Sequence, residues 1–296
     1  MCGIFGYAGA GANPEVLIEG IKRLEYRGYD SWGVCVACDD QLMLLRSVGR
    51  IGAVAAGDLP LLSGSCQAGI AHTRWATHGA PTEANAHPHT DCAGRIAVVH
   101  NGIIENHAAL RSRLEAQGHV FRSETDTEVI PHLIEEFLKA EPDFTAAFHS
   151  AARLLVGAYG IAAVWAGDPG AIYVARLGSP IVLGLGKDRT FVASDPAPLV
   201  AHTREVIYLD DGEIAVLRAE GFTTKTLEGA PVSKKIQQIA FSLPDIERGG
   251  FPHFMLKEIT EQPESIRNAF RGRIVRSEGT AKLGGVEESV LRRVKR

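Results

Sequence analysis

The sequence predicts an α+β fold. Helical periodicity comes in grouped blocks and does not alternate one for one with strands. Between residues 161 and 217, short apolar runs recur roughly every 8–12 residues with turn signals between them, and consecutive hairpins of this kind build antiparallel sheet. The 296 residues, 45% hydrophobic and 22% charged, suffice for one large or two modest domains.

In chain order, Cys2 and Gly3 lead into Ile4 and Phe5, which read as a buried strand. Asn13 is a candidate N-cap and Pro14 suits the first helical position. Val16, Leu17, Ile21 and Leu24 form an apolar stripe, and Gly28 can close the helix. The segment to Asp30 turns into a strand, Trp32 to Cys38, and Asp39-Asp40 makes a tight turn to a partner, Leu42 to Arg46. A strand from Ala68 to His72 runs into the polar stretch Thr73 to Gly79. Another, Ile96 to Val99, leads to His100-Asn101-Gly102, where Asn-Gly is a strong turn signal.

Helices are expected from about Asn106 to Gln117, with Leu110 and Leu114 inward and Gly118 as the stop, and from the capping box Thr125-Asp126-Thr127-Glu128 onward. The second assignment puts Asp126 in a first helical turn. A third helix spans about Phe144 to Val156. Strands then follow at Ile161 to Trp165, Ile172 to Arg176, Ile181 to Leu183, Phe191 to Ala193, Val206 to Leu209 and Ile214 to Leu217, with Asp168-Pro169-Gly170 and Asp210-Asp211-Gly212 as turns. From Ser242 to Pro252 the chain reads as a linker, and helical stretches follow at Met255 to Glu261, Glu264 to Phe270 and Glu287 to Val294. So short a tail cannot bury a core alone. The expected division is a domain over residues 2–240 and a linker with the start of something larger over 241–296.

No stretch approaches the roughly 20 apolar residues of a membrane span, and no basic leader precedes an apolar run, so a cytoplasmic protein is expected. Five cysteines, odd in number and irregular in spacing, argue against a disulfide framework and fit a reducing compartment. The net charge of −4 gives no global case for nucleic acid. It is uneven, because from Arg248 onward 11 Lys and Arg face 6 Asp and Glu.

A cysteine directly behind the initiator methionine becomes an N-terminal residue if Met1 is removed. Its α-amino group, with a reference pKa of about 7.7–8, can then act as base for its own thiol. Attack on an amide also needs donors for the oxyanion. Asn101-Gly102, at the predicted strand end, can supply a side-chain amide and a backbone N–H, or be a plain hairpin turn. Arg74 can clamp a carboxylate in bidentate fashion, or make a surface ion pair. Asp126 can bind an ammonium group, or simply complement a helix dipole. Cys35-Val36-Ala37-Cys38 has the spacing of a metal knuckle, yet residues i and i+3 of a strand face opposite sides and no second pair complements it, so these read as structural thiols. His72, His78, His87 and His89 crowd one region without a carboxylate at ligand spacing, and read as polar loop packing. Gly184-Leu185-Gly186-Lys187 lacks the spacing of a phosphate loop and reads as a turn. No metal and no cofactor are expected.

Cys2-Gly3-Ile4-Phe5-Gly6, Arg23 to Ser31, His72-Thr73-Arg74-Trp75-Ala76-Thr77-His78-Gly79, Asn85-Ala86-His87-Pro88-His89, His100 to Asn106 and Ser123 to Glu128 together resemble the glutaminase half of the glucosamine-6-phosphate synthase family. The resemblance spans essentially residues 2 to 240. It implies an N-terminal nucleophile hydrolase fold, a four-layer αββα sandwich of two antiparallel sheets. It further implies Cys2 as nucleophile with its own amine as base, Arg27 orienting that end, and Asn101 and Gly102 as the oxyanion hole. Arg74 would hold the α-carboxylate of L-glutamine and Asp126 its α-ammonium. Thr77 and His78 would line the same pocket and Trp75 would gate the passage of ammonia, while no role is assigned to His87. The segment from His253 to Pro263 resembles the entry into that family's sugar-isomerase half. Fructose 6-phosphate is therefore expected as a partner only together with an isomerase domain, and the chain itself is expected either to form a homodimer or to associate with the isomerase half. A chain that hydrolyses glutamine is expected, the alternative being a non-catalytic or split partner of a full-length synthase.

Overall fold

Alternation between the two faces of each strand builds the molecule. In the computed structural model, β1 (Gly3–Gly9) turns Ile4 and Ala8 to one side and Phe5 and Tyr7 to the other, all of them buried. The structure describes all residues except 1, 10–13, 53–65, 77–78, 241–249, 271–273, 276–279 and 282–296. It divides into two units, Met1–Ala240 and Phe241–Arg296.

In the first unit, β2 (Ser31–Cys38), β3 (Gln41–Val48), β4 (Cys66–Arg74), β5 (His89–Thr90), β6 (Ile96–Ile104), β7 (Gly157–Trp165) and β8 (Asp168–Leu177) follow β1. The remaining strands are β9 (Val182–Gly186), β10 (Arg189–Ala193), β11 (Glu205–Tyr208), β12 (Glu213–Arg218), β13 (Gly221–Thr226) and β14 (Gln237–Gln238). They form an 8-stranded sheet, β14-β11-β9-β10-β1-β4-β2-β3, and a 6-stranded sheet, β13-β12-β8-β7-β6-β5. The registered pairings within both sheets are antiparallel.

The sheets pack face to face. Ile4, Ala8, Ala68 and Ile70 from the first meet Ala97, Val99, Ala162, Val164, Ile172 and Val174 from the second in one buried cluster. The opposite faces carry helices. α1 (Pro14–Lys22) lays Leu17, Ile18 and Ile21 on the first sheet, and each fully buried aliphatic side chain there contributes about 1.5–3 kcal/mol. α2 (His107–Ala116), α3 (Val129–Leu138) and α4 (Phe144–Leu154) cover the second sheet, with Leu114, Ile130, Ile134 and Phe148 packed on Val98, Ile161 and Tyr173. The expected α+β, αββα arrangement is therefore the one observed.

Several local expectations are corrected. Asn101-Gly102 is not a turn: β6 runs through it, pairing Asn101 with Gly160 and Gly102 with Tyr159, so ladder pairing overrides the dipeptide's preference. Asp168-Pro169-Gly170 likewise belongs to β8, and the reversal falls at Ala166-Gly167. The helix expected from Thr125 starts at Val129, because Glu128 turns back to accept from the Arg122 and Ser123 N–H groups and ties a loop in place of a cap. Cys38 is not a free thiol. It lies opposite Cys66 across β2 and β4 and is bonded to it in a disulfide, while Cys35 on the same strand stays free and buried. The candidate N-cap Asn13 lies outside the described residues.

The second unit contains α5 (Phe254–Phe270), which continues through Pro263 where two separate helices were expected, and a short hairpin of Ile274–Val275 with Thr280–Ala281. The stretch Glu287 to Val294 lies outside the described residues.

Candidate active site

Three inward-facing stripes end at one place. On β4 the stripe Ala68, Ile70 continues to His72 and Arg74; on β6 Ala97 and Val99 continue to Asn101; and Cys2 stands two residues before Ile4, just ahead of β1. A period of two thus delivers a thiol, an imidazole, a guanidinium and an amide to the end of the layer between the sheets. β1 lies between β10 and β4, so the residue before it is held at the centre of the larger sheet.

The Cys2 thiol lies under the backbone that follows β4. Its Sγ accepts a hydrogen bond from Trp75 N at 3.2 Å. That backbone comes close because Gly28 leaves room: a Cβ there would stand 2.7 Å from both Arg74 C and Trp75 N. Burial pushes the Cys2 thiol up, while the Trp75 N–H and the charges of Arg74 and Arg27 pull it down without cancelling the rise. A thiol held protonated needs a base close by to react at neutral pH.

Asn101 is 9% exposed, and its Nδ2 donates to the Cys2 carbonyl at 3.2 Å. Its Oδ1 faces His72 Nε2 at 3.0 Å, and the same ring nitrogen lies 3.1 Å from His100 O. His72 is fully buried and its pKa is pushed down to about 3, mainly by burial, so the ring is neutral and gives its one N–H at Nε2. His87 stacks on His72 with centroids 4.2 Å apart and accepts from His100 N through Nδ1. His100 in turn meets Thr127 Oγ1 at 2.9 Å. These histidines form a neutral, hydrogen-bonded floor. Next to Asn101, Gly102 has φ +134°, and a Cβ there would lie 1.9 Å from Ala158 O, so no other residue fits the backbone as it stands.

A small cleft opens here, lined by Cys2, Arg74, Trp75, Gly102, Thr125 and Asp126 above the histidine floor. The Arg74 guanidinium is steadied by the carbonyls of Gly79 at 3.2 Å and Ala80 at 3.3 Å. Asp126 is buried, and its Oδ2 accepts from Ile104 N at 2.8 Å. A cation and an anion therefore stand on the walls of a small polar cleft whose floor carries a thiol. That arrangement suits a zwitterionic amino acid.

Of the residues expected at a site, Cys2, Arg74, Trp75, Gly102 and Asp126 line the cleft, and Asn101 bonds to Cys2. Arg27 stands to one side, where Nη1 meets Asp195 Oδ2 at 3.3 Å and Ser194 O at 3.4 Å, and its charge pulls the Cys2 thiol down. Thr77 and His78 lie outside the described residues. Sequence reasoning missed His72, His100 and Thr125. For His72 a signal existed, since it shares the alternation of Ala68 and Ile70.

Residues 72–201 match the family described as a glutamine amidotransferase domain. The chain is similar over 97% of its length to the glutamine–fructose-6-phosphate aminotransferase (isomerizing) of Chlorobaculum tepidum, at 47% identity, and over 96% to that of Pyrococcus horikoshii, at 46%. It covers 47% of each, and so spans about half the length of the curated relatives it matches. Among solved structures, the glutamine phosphoribosylpyrophosphate amidotransferase of B. subtilis superposes with a TM-score of 0.64 at 27% identity, over 76% of this chain and 49% of that one. The chain belongs to the class II glutamine amidotransferases, the N-terminal nucleophile type. Within that class its sequence is similar, over about half of their length, to the isomerizing glutamine–fructose-6-phosphate aminotransferases.

Proposed function

We propose that this chain hydrolyses L-glutamine to glutamate and ammonia through a thioester on Cys2. One observation carries the reading. The Cys2 thiol and Gly102 line a cleft whose walls hold Arg74 and Asp126, and the Asn101 amide bonds to the Cys2 backbone beside it. Arg74 receives the α-carboxylate and Asp126 the α-ammonium, which leaves the side-chain amide of glutamine over the thiol.

Removal of Met1 frees the Cys2 amine, which takes the thiol proton as Sγ attacks the amide carbon. The carbonyl oxygen becomes an oxyanion held by Asn101 Nδ2 and the Gly102 N–H. The amine returns the proton to the departing nitrogen, the C–N bond breaks, and ammonia leaves behind a γ-glutamyl thioester. Water, deprotonated by the same amine, cleaves the thioester to glutamate and restores the thiol. Arg27 supports this end of the chain, Thr77 and His78 are assigned to the same glutamine pocket, and Trp75 gates the passage of ammonia.

In a protein that also carries the other half of the relatives' length, the ammonia would aminate fructose 6-phosphate and yield glucosamine 6-phosphate. We assign residues 2–240 to the glutaminase and 241–296 to the linker and the entry into the sugar-isomerase half. Dimerisation or pairing with that half, and a cytoplasmic setting, belong to the same reading. Among the described residues no helix is long and apolar enough to cross a membrane.

The test is glutamate release from L-glutamine by the purified 296-residue chain, with intact mass recorded on the same sample. Turnover together with a mass lacking methionine is expected, and Cys2→Ala should abolish turnover while leaving the fold intact. Normal turnover in Cys2→Ala would sink the assignment.

A further inference from the structure

We propose that Cys92, His119, His132 and Glu135 bind a zinc ion away from the cleft, as a closed structural site. Their donor atoms lie within 4.8 Å of one another. Cys92 Sγ stands 3.7 Å from His119 Nδ1 and 3.6 Å from His132 Nδ1. Glu135 Oε2 is 2.9 Å from His119 Nδ1 and 3.3 Å from His132 Nδ1. With Zn–S near 2.3 Å and Zn–N near 2.0–2.1 Å, a tetrahedral ion separates sulfur from nitrogen by about 3.6 Å and nitrogen from oxygen by about 3.3 Å. Three of the four separations meet those values closely, before any ion draws the ligands together. One thiolate, two imidazoles and one carboxylate form a borderline-soft, four-coordinate set that suits zinc and leaves no position for substrate.

The outward nitrogens carry the argument further. His119 Nε2 lies 2.9 Å from Glu136 Oε2, and His132 Nε2 lies 3.8 Å from Glu128 Oε1. Both rings thus turn Nδ1 inward, and His119 bonds its Nε2 to a carboxylate, the arrangement in which an outer carboxylate orients a ligating histidine; His132 Nε2 points toward Glu128 without a hydrogen bond. A neutral imidazole has one N–H and cannot satisfy two carboxylates at once. A zinc ion bound at His119 Nδ1 would leave the Nε2 proton for Glu136 and stand between Nδ1 and the Glu135 oxygen. Both histidine side chains are at most 2% exposed. Val120 N points at Cys92 Sγ at 3.4 Å, as a donor to a thiolate would.

The ligands come from three separated pieces of chain, which is why the sequence suggested no metal. Cys92 sits in a turn fixed by Asp91 Oδ1, which accepts from Arg95 N at 2.7 Å and Ile96 N at 2.8 Å. His119 follows α2, and His132 with Glu135 forms an i,i+3 pair on α3. Zinc would pin the loop after α2 and the start of α3 to the edge of the 6-stranded sheet, close to the segment that presents Thr125 and Asp126.

The experiment uses the 296-residue chain without a histidine tag, expressed with zinc and analysed by elemental mass spectrometry. One zinc per chain is expected, with loss in Cys92→Ser and His132→Gln. Glu136→Gln should keep the metal but bind it about tenfold more weakly. Zn²⁺ added to stripped chain should raise the thermal midpoint of the wild type and not that of Cys92→Ser. Should the ligand variants fail to fold, Co²⁺ added to stripped wild type decides, because it should give tetrahedral ligand-field bands and a thiolate charge-transfer band. A metal-free chain whose midpoint ignores Zn²⁺, or a Co²⁺ spectrum without the thiolate band, overturns the site.

Discussion

His72 Nε2 and Asn101 Oδ1 lie 3.0 Å apart in the layer between the sheets, and this bond decides which end of the Asn101 amide faces the Cys2 end of the chain. An amide can flip, but a neutral imidazole with its N–H at Nε2 can pair only with the oxygen. The nitrogen is thereby aimed at the reacting end.

His72→Leu should remove that orientation. We expect kcat for glutamine hydrolysis to fall about 10–100-fold with KM little changed, since an aimed donor acts on the transition state more than on bound substrate. His72→Gln, which keeps a side-chain N–H, should recover part of the loss. Steady-state kinetics of the two variants checks this, and an equal effect on KM would argue for a binding role.

Gly102→Ala should damage fold and activity together. Its φ of +134° alone disfavours any side chain by about 1–3 kcal/mol, and the added carbon meets Ala158 O. Urea unfolding should show a lower midpoint with an unchanged slope.

On the proposed function Asp126 has two roles that substitution can separate. Its Oδ2 accepts from Ile104 N, so Asp126→Ala should raise KM and also lower stability by about 1–3 kcal/mol, leaving a buried N–H without its acceptor. Asp126→Asn keeps an acceptor and loses the charge, so KM should rise with stability nearly preserved. Thermal midpoints measured beside KM tell the two apart.

Burial holds His72 and His89 at about 3, and pushes His87 and His100 below the ordinary imidazole value as well. The unfolded chain takes up these protons near pH 6.5, whereas the folded chain refuses them until far lower. Stability is therefore at its full value above about pH 6.5 and is lost as pH falls from there toward about 3, each histidine removing on the order of 1 kcal/mol per pH unit. Urea midpoints should be flat above neutrality and drop between about pH 6.5 and about pH 4.5, less steeply in His89→Gln.

Much of this was legible in the chain itself. Alternation at Ala97 and Val99, or at Ala68 and Ile70, marks the inner faces, and extending it by one or two steps reaches Asn101, His72 and Arg74. What stayed hidden depended on partners distant in sequence. Asn-Gly prefers a turn in isolation, but the ladder with β7 holds it straight. Thr125 to Glu128 has the spacing of a capping box, yet the Glu128 carboxylate finds the Arg122 and Ser123 N–H groups first. Cys38 and Cys66 are 28 residues apart and meet only because β4 lies beside β2.

Strand β1 begins at Gly3, already paired with Thr73, so hardly any slack chain separates the paired ladder from the thiol. An extra leading residue cannot be absorbed by sliding, because a shift of one position would send Ile4 and Ala8 to the helix side and Phe5 and Tyr7 between the sheets. On the proposed mechanism, translation begun one codon early, or a purification handle fused in front, would give a folded but inert product, with an amide where that chemistry needs a free amine.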